Sequence, residues 1–270
     1  MVSYDVCSLF TNVPLNETIK LAVDLIFEKH KNLKIKKNEL EKLFLFATSQ
    51  THFIFDNKIY DQIDGVAMGS PLGPALANLF MGYNEDKWLQ SDEGSHVLFY
   101  QRYVDDIFCV FKNETQANIF LEFLNTRHNN IKFTIEKEIN KKLPFLDILV
   151  DKSNDKIHTS IYRKKTYTGL LLNFNSFTPW SYKKGLLKTL IDRTFRINNT
   201  WLGFHNDISK LKNILLKNEY PLKQIDTHIR KYLHKQYDNE NHTNPLNTET
   251  RYYKLPYIGQ FSKSTQKRIK

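Results

Sequence analysis

Apolar positions along this chain switch between a period of two and a period near 3.6, and each switch marks an expected element. Tyr4 to Phe10 reads as a strand that runs into a loop closing at Pro14. A helix is expected from about Asn16, its N-cap, because Ile19, Ala22, Val23, Ile26 and Phe27 fall on one stripe. Lys29, His30 and Lys31 suit the negative end of that helix. Leu40, Leu43, Phe44 and Ala47 predict a second helix, and His52 to Tyr60 a small hairpin turning at Asp56-Asn57. A Gly/Pro-punctuated loop, Gly65 to Pro74, leads into an apolar helix from about Ala75 to Trp88. Val97 to Phe111 reads as two strands with Asp105-Asp106 at their turn. A helix from about Thr115 to Thr126 and a strand from Ile131 to Glu136 follow.

With the hairpin and second helix taken as insertions, the order so far is β-α-β-β-α-β, the ferredoxin-like plan with helices on one face. Leu143 to Val150 and Ile157 to Tyr162 look like a further strand pair. After Pro179 the chain becomes helical and basic, at about Tyr182–Ile197, Ile208–Leu216 and Leu222–Lys235. Asn239 to Thr250 is Asn/Thr-rich and reads as a linker, and no internal repeat is visible. The expected fold class is α+β, with a sheet domain at 1–156, a helical domain at 157–236 and a linker or tail at 237–270.

Charge sharpens this division. Residues 1–151 hold 16 Lys/Arg against 21 Asp/Glu, whereas 152–236 hold 17 against 5. A segregated basic half suits a polyanion partner, although a Lys-rich solvated face gives the same totals. Cys7 and Cys109 are too few for a disulfide framework or a thiolate metal site, and the nine histidines are scattered. No run of eighteen apolar residues appears and the N-terminus lacks a signal-peptide plan, so a soluble, intracellular chain with no membrane partner is expected.

Three segments carry chemistry. Tyr103-Val104-Asp105-Asp106 has apolar runs on both sides. Adjacent carboxylates repel, which makes sense where divalent cations sit between them; a polar hairpin turn has the same composition. Asp5 lies on a strand of the same character, and a β-α-β-β-α-β sheet sets that strand beside the central hairpin. Asp5, Asp105 and Asp106 can then converge, as a two-Mg²⁺ site requires, because Mg²⁺ takes oxygen ligands and shares the rest with substrate phosphates. The third segment, Gln62 to Pro74, has glycines that admit close approach of a nucleotide or template and prolines that stiffen the entry to the next helix.

In this order and spacing, the segments resemble the A, B and C motifs of reverse transcriptases, and more closely those of Penelope-like retroelements. The residues are Asp5-Val-Cys-Ser-Leu-Phe-Thr-Asn-Val-Pro14, Met68-Gly-Ser-Pro-Leu-Gly-Pro74 and Arg102-Tyr-Val-Asp-Asp106. Ile131 to Glu136, Leu143 to Asp147, Tyr162 to Thr168 and Leu255-Pro-Tyr-Ile258 continue the pattern. The resemblance implies a right-hand polymerase palm followed by a helical thumb. It makes Asp5, Asp105 and Asp106 the catalytic metal ligands for two Mg²⁺, with Mn²⁺ as a substitute. Phe10 would exclude a ribose 2′-hydroxyl, or simply pack in the core. Gln62, Gly69, Ser70 and Pro71 would position the templating pair. Tyr103 and Lys132 complete the substrate set, Lys132 as a proton donor to pyrophosphate or as a solvated strand lysine. Leu143 to Asp147 resembles the primer grip, with Asp147 structural. Lys183, Lys184, Lys188, Arg193 and Arg196 would contact phosphates, and Trp180 and Trp201 would stack on bases or pack.

The implied function is RNA-directed DNA synthesis on an RNA template with a DNA primer and deoxynucleoside triphosphates, in the nucleus, for a retrotransposon. Only Met1 to Tyr4 precede Asp5, where the family has fingers, and no GIY-YIG endonuclease motif pair is present. A truncated chain is therefore expected. The alternatives are a catalytically inactive nucleic-acid-binding remnant and a two-metal nuclease, the latter disfavoured by Phe10 and the Met68–Pro74 loop.

Overall fold

The computed structural model describes residues 1–49, 51–153 and 156–238. The expected linker from Asn239 and the Leu255–Ile258 segment lie outside them. The chain divides into two compact units, Met1–Leu146 and Asp147–Lys270. The sheet domain expected to end at 156 therefore takes in ten residues of the second unit. Among the described residues no helix is long and apolar enough to cross a membrane.

The first unit is built on a four-stranded antiparallel sheet of β1 (Val2–Val6), β4 (Phe99–Tyr103), β5 (Asp106–Val110) and β6 (Phe133–Lys137), in the order β4-β5-β1-β6. Alternation sorts β1 into two faces: Val2, Tyr4 and Val6 are buried, and Asp5 is exposed. Val2 pairs with Cys109 and Tyr4 with Ile107, so the four side chains share the buried face. Helices α2 (Leu15–Lys29), α4 (Gly73–Leu89) and α5 (Glu114–Arg127) supply the rest of that core through Ile19, Val23, Phe80, Met81, Phe120 and Leu124. The Tyr4 hydroxyl donates to the Ala117 carbonyl of α5 at 2.8 Å, satisfying its polar end within the core. Asp5 pairs with Asp106 on the opposite face.

The insertions are α3 (Lys37–Ser49) and the hairpin of β2 (His52–Phe55) and β3 (Lys58–Asp61). Asp56 and Asn57 both have positive φ (48° and 56°), the conformation that matches a two-residue turn to strand twist. Four local readings change. A single helical turn, α1 (Leu9–Asn12), replaces the loop after β1, and α2 starts one residue before Asn16 with Pro14 at its N-cap position. The β4–β5 turn falls on Val104-Asp105, because Asp106 already pairs with Tyr103 as the first residue of β5. The run Leu143 to Val150 breaks into β7 (Lys142–Phe145) and β8 (Ile148–Asp151) at Leu146, whose φ is 55°.

The second unit holds a hairpin of β8 with β9 (His158–Ile161) and three helices, α6 (Trp180–Ile197), α7 (Trp201–Lys217) and α8 (Leu222–Asp238). Leu187, Ile191, Ile208, Leu211, Leu215 and Ile225 form its core. Helix α7 starts seven residues before its expected start, for a reason that Gly203 supplies. Thr200 is the N-cap and accepts from Gly203 N at 3.1 Å. A Cβ on residue 203 would lie 2.7 Å from Asn198 Oδ1 and 3.0 Å from Thr200 Oγ1. The glycine that weakens the helical pattern in the sequence is what lets the cap close.

Candidate active site

The backbone positions of Asp5, Asp105 and Asp106 lie at one end of the sheet. Asp5 stands opposite Asp106 in register, and Val6 N donates to the Asp105 carbonyl at 3.0 Å, fastening the β4–β5 turn to β1. Partial desolvation, reinforced by the charge of Asp105, raises the Asp5 carboxyl above the ordinary carboxylate range. All three side chains are hard oxygen donors on one end of the sheet, which fits Mg²⁺ in kind. As the side chains stand, no group of three or more His, Cys, Asp or Glu among the described residues is arranged to hold a metal ion.

The turn itself is unusual. Val104 has φ 57°, a left-handed conformation that a β-branched residue adopts at a cost of about 1–3 kcal/mol. Beneath it lies a polar network that the sequence reading missed. Arg102 of β4 donates from Nε to Glu85 Oε1 at 2.5 Å and from Nη2 to Glu85 Oε2 at 3.1 Å. Its Nη1 donates to Asn78 Oδ1 at 2.9 Å and to the Val104 carbonyl at 3.0 Å. The Tyr100 hydroxyl donates to Glu85 Oε1 at 2.6 Å. Burial and the Glu85 charge drive the Tyr100 phenol and the Cys109 thiol well above their usual ranges. A carboxylate inside the otherwise apolar stripe of α4 was the one sequence signal for this network.

Phe10 lies on α1, half-buried against the core. The Gly65–Ser70 loop is tied to this turn, with Val66 N donating to the Phe10 carbonyl at 2.6 Å. Gly65 is required there: its φ is 78°, and a Cβ would sit 2.5 Å from Thr11 O. Asp64, also missed, accepts from Leu15 N at 3.1 Å and Gly65 N at 2.8 Å, so one carboxylate joins the start of α2 to the loop. Gln62 donates to the Asp64 carbonyl at 2.9 Å, while Gly69 and Pro71 are exposed and Ser70 is half-buried. Gln62, Ser70, Thr11, Phe53 and Met68 help to line a cavity of about 800 Å³. Tyr103 is exposed, at the end of β4. Lys132 is turned to the end of α5, where its ammonium donates to the Asn125 carbonyl at 2.8 Å.

In the second unit, Lys184 and Lys188 are exposed one helical turn apart on α6. Arg196 pairs with Asp192 at 2.9 Å and Arg193 with Asp147 at 2.5 Å. Lys183 points inward, donating to the Ser176 carbonyl at 2.8 Å beside the Phe174 ring. Trp180 packs edge-on to Phe174, and Trp201 stacks on Tyr237 with ring centroids 6.1 Å apart. Asp207, 1% exposed, is the fastening of this unit. It accepts from Ile161 N at 2.8 Å, Asn198 Nδ2 at 3.2 Å and Lys210 Nζ at 3.1 Å, with Arg163 at 3.9 Å.

A mixed α/β chain with antiparallel sheets, bearing adjacent carboxylates at a strand turn, is similar in fold to polymerases, and the family comparison narrows it. Residues 1–144 match the family of reverse transcriptases (RNA-dependent DNA polymerases), and residues 170–230 match the animal helix-turn-helix domain. The first match covers more than half of the chain, which therefore belongs to the reverse transcriptase family. The fold is similar to telomerase from Candida albicans, solved with the TWJ fragment of telomeric RNA, at 14% identity and TM-score 0.50 over 86% of this chain. It is similar to the Sicinivirus 3Dpol RNA-dependent RNA polymerase at 12% identity and TM-score 0.50 over 85% of this chain. The chain accounts for 40% and 51% of those proteins' lengths. No curated protein sequence matches it.

Proposed function

We propose that this chain is the palm and thumb portion of a Penelope-like retrotransposon reverse transcriptase, which adds deoxynucleotides to a primer 3′-end on an RNA template. The observation that carries this reading is the opposition of Asp5 and Asp106 beside the Val104-Asp105 turn, within a segment that matches the reverse transcriptase family throughout. The sheet order β4-β5-β1-β6 is that of a split β-α-β unit and supports the palm assignment.

Asp5, Asp105 and Asp106 would hold two Mg²⁺, which lower the pKa of an attacking 3′-hydroxyl and neutralise charge on the leaving pyrophosphate. Phe10 sits on a turn whose backbone is held by Gly65 and Val66, and its half-buried ring would act as a steric filter against a 2′-hydroxyl. Gln62, Gly69, Ser70, Pro71 and Tyr103 would contact the templating pair, and Gln62 and Ser70 line the cavity beside α1. In the second unit, Lys184, Lys188, Arg193 and Arg196 supply phosphate contacts, while Lys183 holds Ser176. The helix-turn-helix match over residues 170–230, which takes in α6, α7 and the start of α8, supports a nucleic-acid-binding role for that unit.

Primer extension on poly(rA)–oligo(dT) with Mg²⁺, comparing the chain with Asp105→Asn, tests the reading. Extension by the first alone supports it. Extension by both removes the metal assignment, and template binding without extension leaves a binding remnant.

A further inference from the structure

Arg102 reaches from β4 to four acceptors at once. Two are the oxygens of Glu85 on α4, one is Asn78 Oδ1 on the same helix, and one is the carbonyl of Val104. The first three fix the guanidinium to the helix behind the sheet, since the Arg102 and Glu85 side chains are only 12% and 11% exposed. The fourth is the backbone of the one turn residue that is forced into a left-handed conformation. A planar guanidinium with donors in a fixed fork can make these bonds together, which a lysine ammonium cannot. The other side of the same turn is held to β1 by Val6 N and the Asp105 carbonyl.

We propose that Arg102, fixed by Glu85, is a positioning residue that clamps the strained Val104 turn and thereby sets where Asp105 stands relative to Asp5. A two-residue turn that begins with positive φ ordinarily uses glycine there, because valine would relax toward the right-handed region. Relaxation would swing the Asp105 side chain away from β1. The clamp converts the stability of the α4 anchor into a fixed direction for one carboxylate. This inference rests on the proposed function for the purpose of Asp105, but the clamp itself is a property of the fold.

The test is a mutant cycle. Arg102→Ala would strand a nearly buried Glu85, so Arg102→Lys is used, which keeps the charge and loses the fork. Its partner is Val104→Gly, because glycine takes a φ of 57° freely and has no need of a clamp. Wild type, both single variants and the double variant are compared by thermal unfolding and by Mn²⁺ titration followed by electron paramagnetic resonance, well below their melting temperatures. Arg102→Lys is expected to lower the melting temperature and to weaken Mn²⁺ binding about tenfold, with most of both losses recovered in the double variant. Additive losses, with no recovery from glycine, would overturn the proposal, since a merely structural ion pair gains nothing from a relaxed turn. If the wild type binds no Mn²⁺ and extends no primer, the proposed function fails. The clamp is then judged on melting alone: non-additivity between residues 102 and 104 upholds it and additivity overturns it.

Discussion

Asp207 is a buried fastening of the second unit, and the expected cost of Asp207→Ala can be worked from its partners. The carboxylate is 1% exposed and serves Ile161 N, Asn198 Nδ2 and Lys210, with Arg163 close by. Truncation returns Lys210 to water at little cost, because that side chain is already 63% exposed. Ile161 N loses its partner at the end of β9, and a buried unsatisfied donor costs about 1–3 kcal/mol. Arg163, 22% exposed, loses its nearest carboxylate, and Asn198 keeps only its bond to Thr194 O. Relief of the carboxylate's own desolvation offsets part of this, leaving a net loss of about 3 kcal/mol. In a unit of this size that is roughly 10–25 °C of melting temperature. Asp207→Asn retains an acceptor for Ile161 and Asn198, so its cost should be about half. Calorimetry of the whole chain measures both. A loss below about 1 kcal/mol for the alanine variant would refute the accounting, because it would mean that water or a neighbour replaces every bond.

Three further outcomes follow from the same structure. Lys184→Ala and Lys188→Ala should each reduce the slope of log affinity against log salt for a template–primer duplex by about one, with unfolding unchanged; unaltered slopes would remove α6 from the interface. Cys109 is buried and its thiol is pushed up by burial and by Glu85, whereas Cys7 is half-buried, so a thiol-reactive probe should titrate one cysteine in the native protein and two in denaturant. Burial, then the hydrogen bond to Asp192, raises the Tyr232 phenol to about 12. A folded pKa above the unfolded value of 10.0 gives stability that is complete below pH 10 and lost as pH rises through about 12. Tyr232→Phe should therefore flatten the alkaline fall in melting temperature over that window, and an unchanged profile would place the titration elsewhere.

Much of the site was legible because its chemistry is local. Asp5, Asp105 and Asp106 could be picked out as carboxylates embedded in apolar strand patterns, and the element order was enough to set the Asp5 strand beside the central hairpin. The Asp56-Asn57 turn and the Gly65 loop were readable for the same reason, since positive φ restricts which residues can occupy a position. The basic character of 152–236 was a matter of counting.

Long-range pairing decided the rest. Glu85 and Arg102 are 17 positions apart, and Asp207 and Ile161 are 46 apart. Glu85 interrupts the apolar stripe of α4, but nothing in either pair's spacing names its partner, because a buried charge is tolerated only through a partner that the fold supplies. Lys183 looked like its neighbours Lys184 and Lys188, and only packing turned it inward to Ser176. The turn at Val104-Asp105 differs from the Asp105-Asp106 reading by one residue. That residue is set by the register of β4 on β5 and by what holds Val104 in place. Sequence by itself picked out the candidate carboxylates and the sheet that carries them; tertiary structure decided how each is held, because direction and burial belong to contacts between segments that composition and period cannot see.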